Sequence, residues 1–523
     1  MSCNDKRSSM IRVLVAVLAT PFVTYVVSGV SRTVVVNVVS GFSRTVVVNV
    51  VSGFSRTVSA QETTPGLVRK GKVPVSNEIL KIKLPRPAEA NLSNGLHLIV
   101  LEDHRLPQIS LQVIIPGAGG FFDPPDQPGL ASFTASLMRE GTATRTSNQI
   151  SAQLDLMAAT LNVNAGSTST EATLNGSSFS DQASTLFDLA ADVLLHPSFA
   201  EDEVARFKQR TRATLAQQRA NAGFLANEMF ARAVYGSHPA SRVGATVASL
   251  DRTTREQLVE FHAKQYVPER AVLAIAGDIS MQQARALAES KLGAWKKSSV
   301  PSPLSIADPA PVAGSKIYLV ARPNSVQTNL IVGTQAIERT NADYDALQVM
   351  NKVVGGNVTG RLFLHLREAK GYTYGASSAV DARQHRGDWA ASTNVRTEVT
   401  EPALRDLLEE IRQMREVPVP DLEMADAKRS MIASFALSLE SPQQLLGLYV
   451  TAWRYKLPAD YWDRYPERIT AVTREQVQAM ARKYLAADRL QIVAVGDPGP
   501  IAAPLKKLGV VEAYDANGKR LEN

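Results

Sequence analysis

Thr254-Arg255-Glu256-Gln257 opens a stretch that closes on Ala274-Ile275-Ala276-Gly277-Asp278. Thr473-Arg474-Glu475-Gln476 opens another that closes on Ala494-Val495-Gly496-Asp497. At an offset of 219 the two align over 25 positions without a gap and share eight identities, including Lys264 with Lys483. Each reads as a Thr-capped helix with an acid in its first turn, followed by a short connection and a buried apolar strand. The same offset pairs Gln108 and Leu111, in the strand-like run 108–115, with Gln327 and Leu330 in 327–333. Repetition on that scale means duplicated domains, not a solenoid of short turns. Pro301, Pro303, Pro309 and Pro311 mark a stiff linker over 301–312, between a first domain at 76–300 and a second at 313–510.

Within the first copy, 96–102 and 109–115 read as successive strands. Helices are expected at 130–139, with Leu130, Phe133, Leu137 and Met138 at helical spacing, and at 150–159, 186–195 and 201–220. The run 161–174 has few large apolar residues and a Ser/Thr/Asn-rich alternation, which predicts one exposed strand. The fold class that follows is α+β: two tandem homologous sandwiches, each an antiparallel-rich sheet with helices.

A chain of 523 residues exceeds what one core supports. Its formal charge of +7 gathers at the front, where residues 1–60 hold six Lys/Arg against Asp5. The remainder carries 51 basic and 49 acidic groups, so no nucleic-acid surface is indicated. Residues 1–60 read as an export leader: Lys6, Arg7 and Arg12 precede the apolar run Val13 to Val27, and Val58-Ser59-Ala60 is a small-residue cleavage candidate. Between them a twelve-residue unit recurs three times, from Val26, Val38 and Val50. A short β-solenoid is the rival reading, but three such turns have too little core to stand alone. Retention of the leader as a membrane anchor is opposed by an Arg in each repeat. Cys3, the single cysteine, falls in the leader, which leaves the mature chain without disulfides and suits a periplasmic or cell-envelope location.

A second stretch carries the chemistry, or its lack: Gly129-Leu130-Ala131-Ser132-Phe133-Thr134-Ala135-Ser136-Leu137-Met138-Arg139-Glu140-Gly141-Thr142. Its frame resembles the pitrilysin/insulinase family of zinc peptidases, whose pattern there is roughly Gly-x-Ala-His-Phe-x-Glu-His-Met-x-x-x-Gly-Thr. In an inverted zinc motif two His four apart bind the metal and the Glu between them is the general base. Here Ser132 and Ser136 stand at the His positions and Ala135 at the Glu. The family's distal acid falls about 76–78 residues later, near Arg212–Thr214, where Thr214 and its neighbours include no acid. The seven His (His97, His104, His196, His238, His262, His365 and His385) include no two within six residues. With no Cys and no Gly-x-Ser-x-Gly elbow in the mature chain, nucleophilic catalysis lacks a candidate. Ser132 and Ser136 read most simply as small polar residues facing a cavity.

The best positive motif lies in the second copy: Gly355-Gly356-Asn357-Val358-Thr359-Gly360-Arg361-Leu362-Phe363, then Leu366-Arg367-Glu368-Ala369-Lys370-Gly371-Tyr372-Thr373-Tyr374. No Gly-Lys-Ser/Thr follows the glycines, which argues against a P-loop. Gly371 suits a helix C′ position. The motif resembles the same family's C-terminal signature, roughly Gly-Gly-x-x-x-Ser-Arg-Leu-Phe and Leu-Arg-Glu-x-x-Gly-Leu-x-Tyr. Tyr372 and Gly360 are its departures. In that family the Arg and Tyr reach across a clamshell to substrate held at the first domain's zinc. Carried over by position, those residues are Arg367 and Tyr374.

Three functional readings follow. Missing ligands beside a kept Arg/Tyr pair resemble the alpha-type, non-catalytic chain of mitochondrial processing peptidase and of bacterial two-chain peptidases. Such a chain has no cofactor of its own. Its expected partners are a zinc-bearing homologous subunit and a peptide, which the strand around 164–174 would hold by strand addition. The alternatives are a non-proteolytic structural or peptide-binding protein of the same fold, and an autonomous zinc peptidase.

Overall fold

The computed structural model describes residues 79–298 and 304–522, together with three strands upstream. Those strands, β1 (Phe22–Gly29), β2 (Arg32–Val39) and β3 (Val46–Val50), pair antiparallel in sequence order and belong to a separate unit. The charged start and the cleavage candidate of the expected leader lie outside the described residues. Among the described residues no helix is long and apolar enough to cross a membrane.

Two six-stranded sheets organise residues 79–522. The first uses β4 (Ala88–Asn91), β5 (His97–Glu102), β6 (Gln108–Pro116), β7 (Thr160–Ala165), β8 (Glu171–Phe179) and β9 (Val272–Gly277) in the order β4-β5-β9-β6-β8-β7. The second uses β10 (Lys316–Ala321), β11 (Gln327–Gln335), β12 (Thr373–Asp381), β13 (Asp388–Arg396), β14 (Gln491–Gly496) and β15 (Val511–Tyr514). Its order, β15-β10-β14-β11-β13-β12, repeats the first over five strands; the sixth differs, since β4 precedes its half and runs antiparallel to β5 whereas β15 ends its half and runs parallel to β10. The starts of β5, β6 and β9 recur 219 residues later in β10, β11 and β14. Both sheets are mixed and mainly antiparallel, with β5 parallel to β9, and β10 parallel to β14 and β15.

The first half adds α1 (Leu130–Met138), α2 (Ser147–Leu156), α3 (Ala183–Leu195) and α4 (Glu201–Ala220). These are followed by α5 (Ala222–Tyr235), α6 (Val247–Arg252), α7 (Arg255–Gln265) and α8 (Met281–Leu292). The second half adds α9 (Tyr344–Val354), α10 (Arg361–Phe363), α11 (Thr400–Glu416) and α12 (Asp421–Ser438). It ends with α13 (Pro442–Tyr455), α14 (Tyr465–Ala471), α15 (Arg474–Tyr484) and α16 (Pro498–Lys506). The repeated Thr-x-x-Gln signature works as capping chemistry demands: Thr254 and Thr473 accept from the Gln257 and Gln476 backbone, and each Gln side chain returns the bond.

β9 and β14 are buried along their whole length, so each must be covered on both faces. Period-two alternation shows how. Leu273 and Ile275 of β9 face the core of their own half, with Leu137, Leu186 and Leu258. Val272, Ala274 and Ala276 face α13, which arrives from the other half with Leu445, Leu446 and Tyr449. The second sheet mirrors this. Ile492 and Ala494 face their own core, while Val493 and Val495 receive Leu225, Met229 and Phe230 of α5. Each half therefore lends one helix to the other's sheet, at about 1.5–3 kcal/mol per large apolar side chain buried.

Polar contacts repeat the exchange. Tyr235, the last residue of α5, donates from its hydroxyl to Asp388 Oδ2 at 2.5 Å, at the start of β13. Its counterpart 219 residues on, Arg454 of α13, pairs with Glu171 at the start of β8. Beside them Arg383 donates to the Thr168 carbonyl at 3.0 Å, and Thr170 Oγ1 to Gln384 Oε1 at 2.9 Å.

One expectation needs correction. The run 161–174 is not one exposed strand but most of the β7–β8 hairpin, with β7 at the sheet edge and β8 inside. Its buried side includes Ala165, Ala172 and Gly176; a Cβ at Gly176 would stand 3.2 Å from Leu186 of α3. Small inward residues admit a close helix and mute the apolar alternation. The proline-rich connection, described from residue 304, is held by hydrogen bonds to both halves. Ala307 O meets His238 Nε2 at 2.9 Å, Asp308 Oδ1 accepts from Arg386 N at 2.8 Å, and Ala310 O accepts from Gln335 at 2.6 Å.

Arg454→Ala leaves Glu171 buried without its cation, and stability should fall by roughly 3 kcal/mol in urea unfolding. A second change, Glu171→Leu, should restore most of that loss. A single-variant loss under about 0.5 kcal/mol would show that the pair does not bind the halves together.

Candidate functional site

The first-half site is built on α1. Its N-terminus has no capping side chain at Gly129; Asp123 serves from the preceding loop, accepting from Gly129 N at 2.7 Å and Ala131 N at 2.8 Å. Burial pushes the Asp123 carboxyl up to about 6, against the pull of those two N–H groups and of Arg242. Arg242 fixes the loop by donating to the carbonyls of Asp123 at 2.8 Å and Phe121 at 3.1 Å. Gly129 sits at φ +100°, and a Cβ there would lie 2.4 Å from that of Ala245, so glycine is required.

The long helix α4 lies against α1, as a distal ligand would need. Phe133 and Phe207 meet edge to face at 5.7 Å, and Glu140 pairs with Arg210 at 2.8 Å. Helical spacing does set the three motif residues on one helix, but their chemistry is inert. Ser132 is half-buried and its hydroxyl turns back to the Gly129 carbonyl at 3.0 Å. Ala135 is buried, and Ser136 is exposed. Thr214 is exposed on α4 and donates to the Arg210 carbonyl at 3.3 Å. Three neutral hydroxyls and a methyl do not make a zinc site, which takes thiolate, imidazole or carboxylate. Zinc does not fit the residues present. Among the described residues no group of three or more His, Cys, Asp or Glu is arranged to hold a metal.

The second-half site starts at the glycine cluster. A Cβ at Gly355 would stand 2.8 Å from Ser378 N of β12, and one at Gly360 would stand 2.8 Å from the Gly355 Cα. These glycines let a loop pack on itself and on the sheet, which accounts for them without a phosphate. Asn351 ties the loop down, accepting from Ser378 Oγ at 2.7 Å and Trp389 Nε1 at 2.9 Å. Arg361 anchors the next turn to Glu423 of α12 through bonds of 2.9 and 2.8 Å.

From Leu364 to Ala369 the helix widens into a π-helical segment, a feature often found at functional positions. Gly371, at φ +61°, ends it as expected, with Gly371 N bonded to Arg367 O and Tyr372 N to Leu366 O, both at 3.0 Å. Arg367 sits on this segment. Its guanidinium lies 4.8 Å from the centre of the Phe363 ring and 3.7 Å from Glu368, with the side chain 45% exposed. Tyr374 stands at the start of β12, a sheet edge, beside a register shift between Thr373 and Ala376. It is 89% exposed. Among the described residues no hydrogen bond, ion pair or ring contact ties Arg367 or Tyr374 to α1 or α4. The π-helical widening and the Phe363 stack escape sequence reading, because neither changes residue type or spacing.

The doubled sheet, the α1–α4 pair without ligands and the Arg367/Tyr374 element define a peptidase-type scaffold. Residues 98–244 match the model of the insulinase family (peptidase family M16), and residues 252–431 match that of the peptidase M16 inactive domain. The chain belongs to this M16 family. An uncharacterized zinc protease of Mycobacterium leprae is 26% identical over 367 residues, covering 68% of this chain and 80% of the relative. An uncharacterized zinc protease of Bacillus subtilis is 23% identical, covering 76% and 95%. Among solved structures, a peptidase M16 inactive domain from Pseudomonas fluorescens superposes with a TM-score of 0.74 at 28% identity, covering 79% of this chain and 98% of that one. A protease from Helicobacter pylori gives 0.73 at 16% identity, covering 79% and 100%, a likeness of fold.

Metal analysis of the purified chain should find zinc well below one equivalent; a stoichiometric, chelator-removable zinc would contradict this reading of α1 and α4. Asp123→Ala should lower stability by about 1–2 kcal/mol in urea unfolding, since it uncaps α1. No change would mean the cap contributes nothing.

Proposed function

We propose that this chain is the substrate-holding, non-catalytic subunit of a two-chain zinc metalloendopeptidase that acts on peptides. The observation that carries the reading is a contrast between two elements. The ligand positions Ser132, Ala135, Ser136 and Thr214 hold no group able to bind zinc, whereas Tyr374 stands exposed and the half-exposed Arg367 leans on Phe363 and Glu368 of its own segment. A forked guanidinium braced on Phe363 suits a peptide carbonyl, and the Tyr374 hydroxyl adds a second polar group on a sheet-edge strand. The partner would be a homologous chain that keeps His-x-x-Glu-His; its zinc would supply the activated water and polarise the scissile carbonyl. Residues 1–60 would export this chain to the periplasm or cell envelope. The positions of β7 and β12 at the sheet edges favour a second reading, a peptide-binding protein with no part in cleavage.

The test mixes the purified chain with the zinc-bearing homologue of the same organism and follows peptide cleavage. Neither chain alone should match the mixture. Arg367→Ala should cut kcat/KM of the mixture by roughly 10²-fold without changing its zinc content. Full activity with Arg367→Ala would reject the substrate-holding role, and a mixture no better than the homologue alone would favour the binding protein.

A further inference from the structure

A cavity of about 350 Å³ lies where α5 of the first half meets β12 and β13 of the second, closed on one side by the β7–β8 turn. Its polar lining includes Asp381, Arg383, Asp388, Tyr235, Ser377 and Ser392. The Asp388 carboxylate receives one hydrogen bond from the described residues, that of Tyr235 at 2.5 Å. Arg383 is already committed: its Nε bonds Asp381 Oδ2 at 2.8 Å and its NH1 donates to the Thr168 carbonyl at 3.0 Å. The lining thus carries two acids and one base.

The duplication supplies an internal control. At the equivalent place in the first half, the acid is Glu171 and the exchanged helix offers Arg454, a full ion pair. At Asp388 the exchanged helix offers Tyr235, a neutral phenol that burial keeps protonated. One of two matched acids has its cation, and the other opens onto a cavity instead. Phe230 and Ile331 give that cavity an apolar wall suited to methylene groups. We propose that this cavity binds an alkylammonium or guanidinium cation whose charge takes, against Asp388, the place that Arg454 takes against Glu171. The inference uses this chain's own cavity and stands apart from the two-chain reading.

The pH dependence has a defined sign. Burial pushes the Asp388 carboxyl up to about 6, the bond from Tyr235 acting the other way. The charged groups facing it are Asp381 at the end of β12 and Arg383 on the hairpin turn; α5 presents the neutral, titratable Tyr235, and the β7–β8 turn the Thr168 carbonyl. A cation prefers the ionised acid, so its affinity rises as pH rises through about 6. A raised carboxyl favours folding below its unfolded value, and that contribution is lost as pH rises through about 6. A bound cation restores it.

The experiment is calorimetric titration of the full chain with N-acetyl-arginine methylamide, with n-butylamine, and with neutral N-acetyl-norleucine methylamide. A charged probe should bind at least about tenfold more tightly than the neutral one. Asp388→Asn should remove that preference and its rise through pH 6, and Tyr235→Arg should abolish binding by supplying the cation internally. Glu171→Gln should leave binding unchanged. The arginine derivative binding without butylamine points to a basic peptide side chain, and the converse to a free amine. Equal affinity for charged and neutral probes, or charged-probe affinity unaltered by Asp388→Asn, overturns the proposal. The comparison of probes on the unaltered chain decides the matter even where a variant folds poorly.

Discussion

The exchange of α5 and α13 is the contact on which the remaining architecture rests. Both central strands, β9 and β14, are apolar on two faces, and each half's own helices cover one of them. The uncovered faces are satisfied by the helix that the other half sends across. Neither half has a complete core without the other. Without the exchanged helix, Val272, Ala274 and Ala276, or Val493 and Val495, would face water. Duplication alone would give two similar domains on a string. Duplication with exchange gives one body, and the hairpins β7–β8 and β12–β13 are thereby set against each other.

The two candidate site elements differ in what their residues do for the fold. The α1–α4 pair survives as packing, through Phe133 with Phe207 and Glu140 with Arg210, although every ligand position on it is inert. A helix pair that supports a sheet has a packing role that needs no metal. Arg367 and Tyr374 have none: they brace nothing in the core, and their exposure has no packing role to explain it. The contrast between a structural remnant and an unexplained exposed pair is what gives the substrate-holding role its weight.

Much of this was legible in the sequence where local chemistry decides the outcome. The Thr254 and Thr473 caps, the strands ending at Gly277 and Gly496, and the helix stop at Gly371 depend on neighbours a few residues away. The lack of thiolate, imidazole or carboxylate at Ser132, Ala135, Ser136 and Thr214 is read from residue type alone, wherever they are placed. Partner choice is not. The apolar stripe of Leu445, Leu446 and Tyr449 predicts a buried helix and says nothing of which sheet it covers. The hairpin within 160–179 was hidden because Ala165, Ala172, Gly176 and Ser178 interrupt the inward apolar row of Leu161, Val163 and Leu174. The unequal pairs Glu171–Arg454 and Asp388–Tyr235 emerge only when the duplication is overlaid on contacts in space.

The substrate-holding claim is tested most directly by replacing Tyr374 with p-benzoylphenylalanine and irradiating the chain together with its zinc-bearing homologue and a peptide under cleavage. The account predicts a cross-link from position 374 to peptide residues flanking the bond that is cut. A cross-link confined to distant residues, or none while cleavage proceeds, would contradict it.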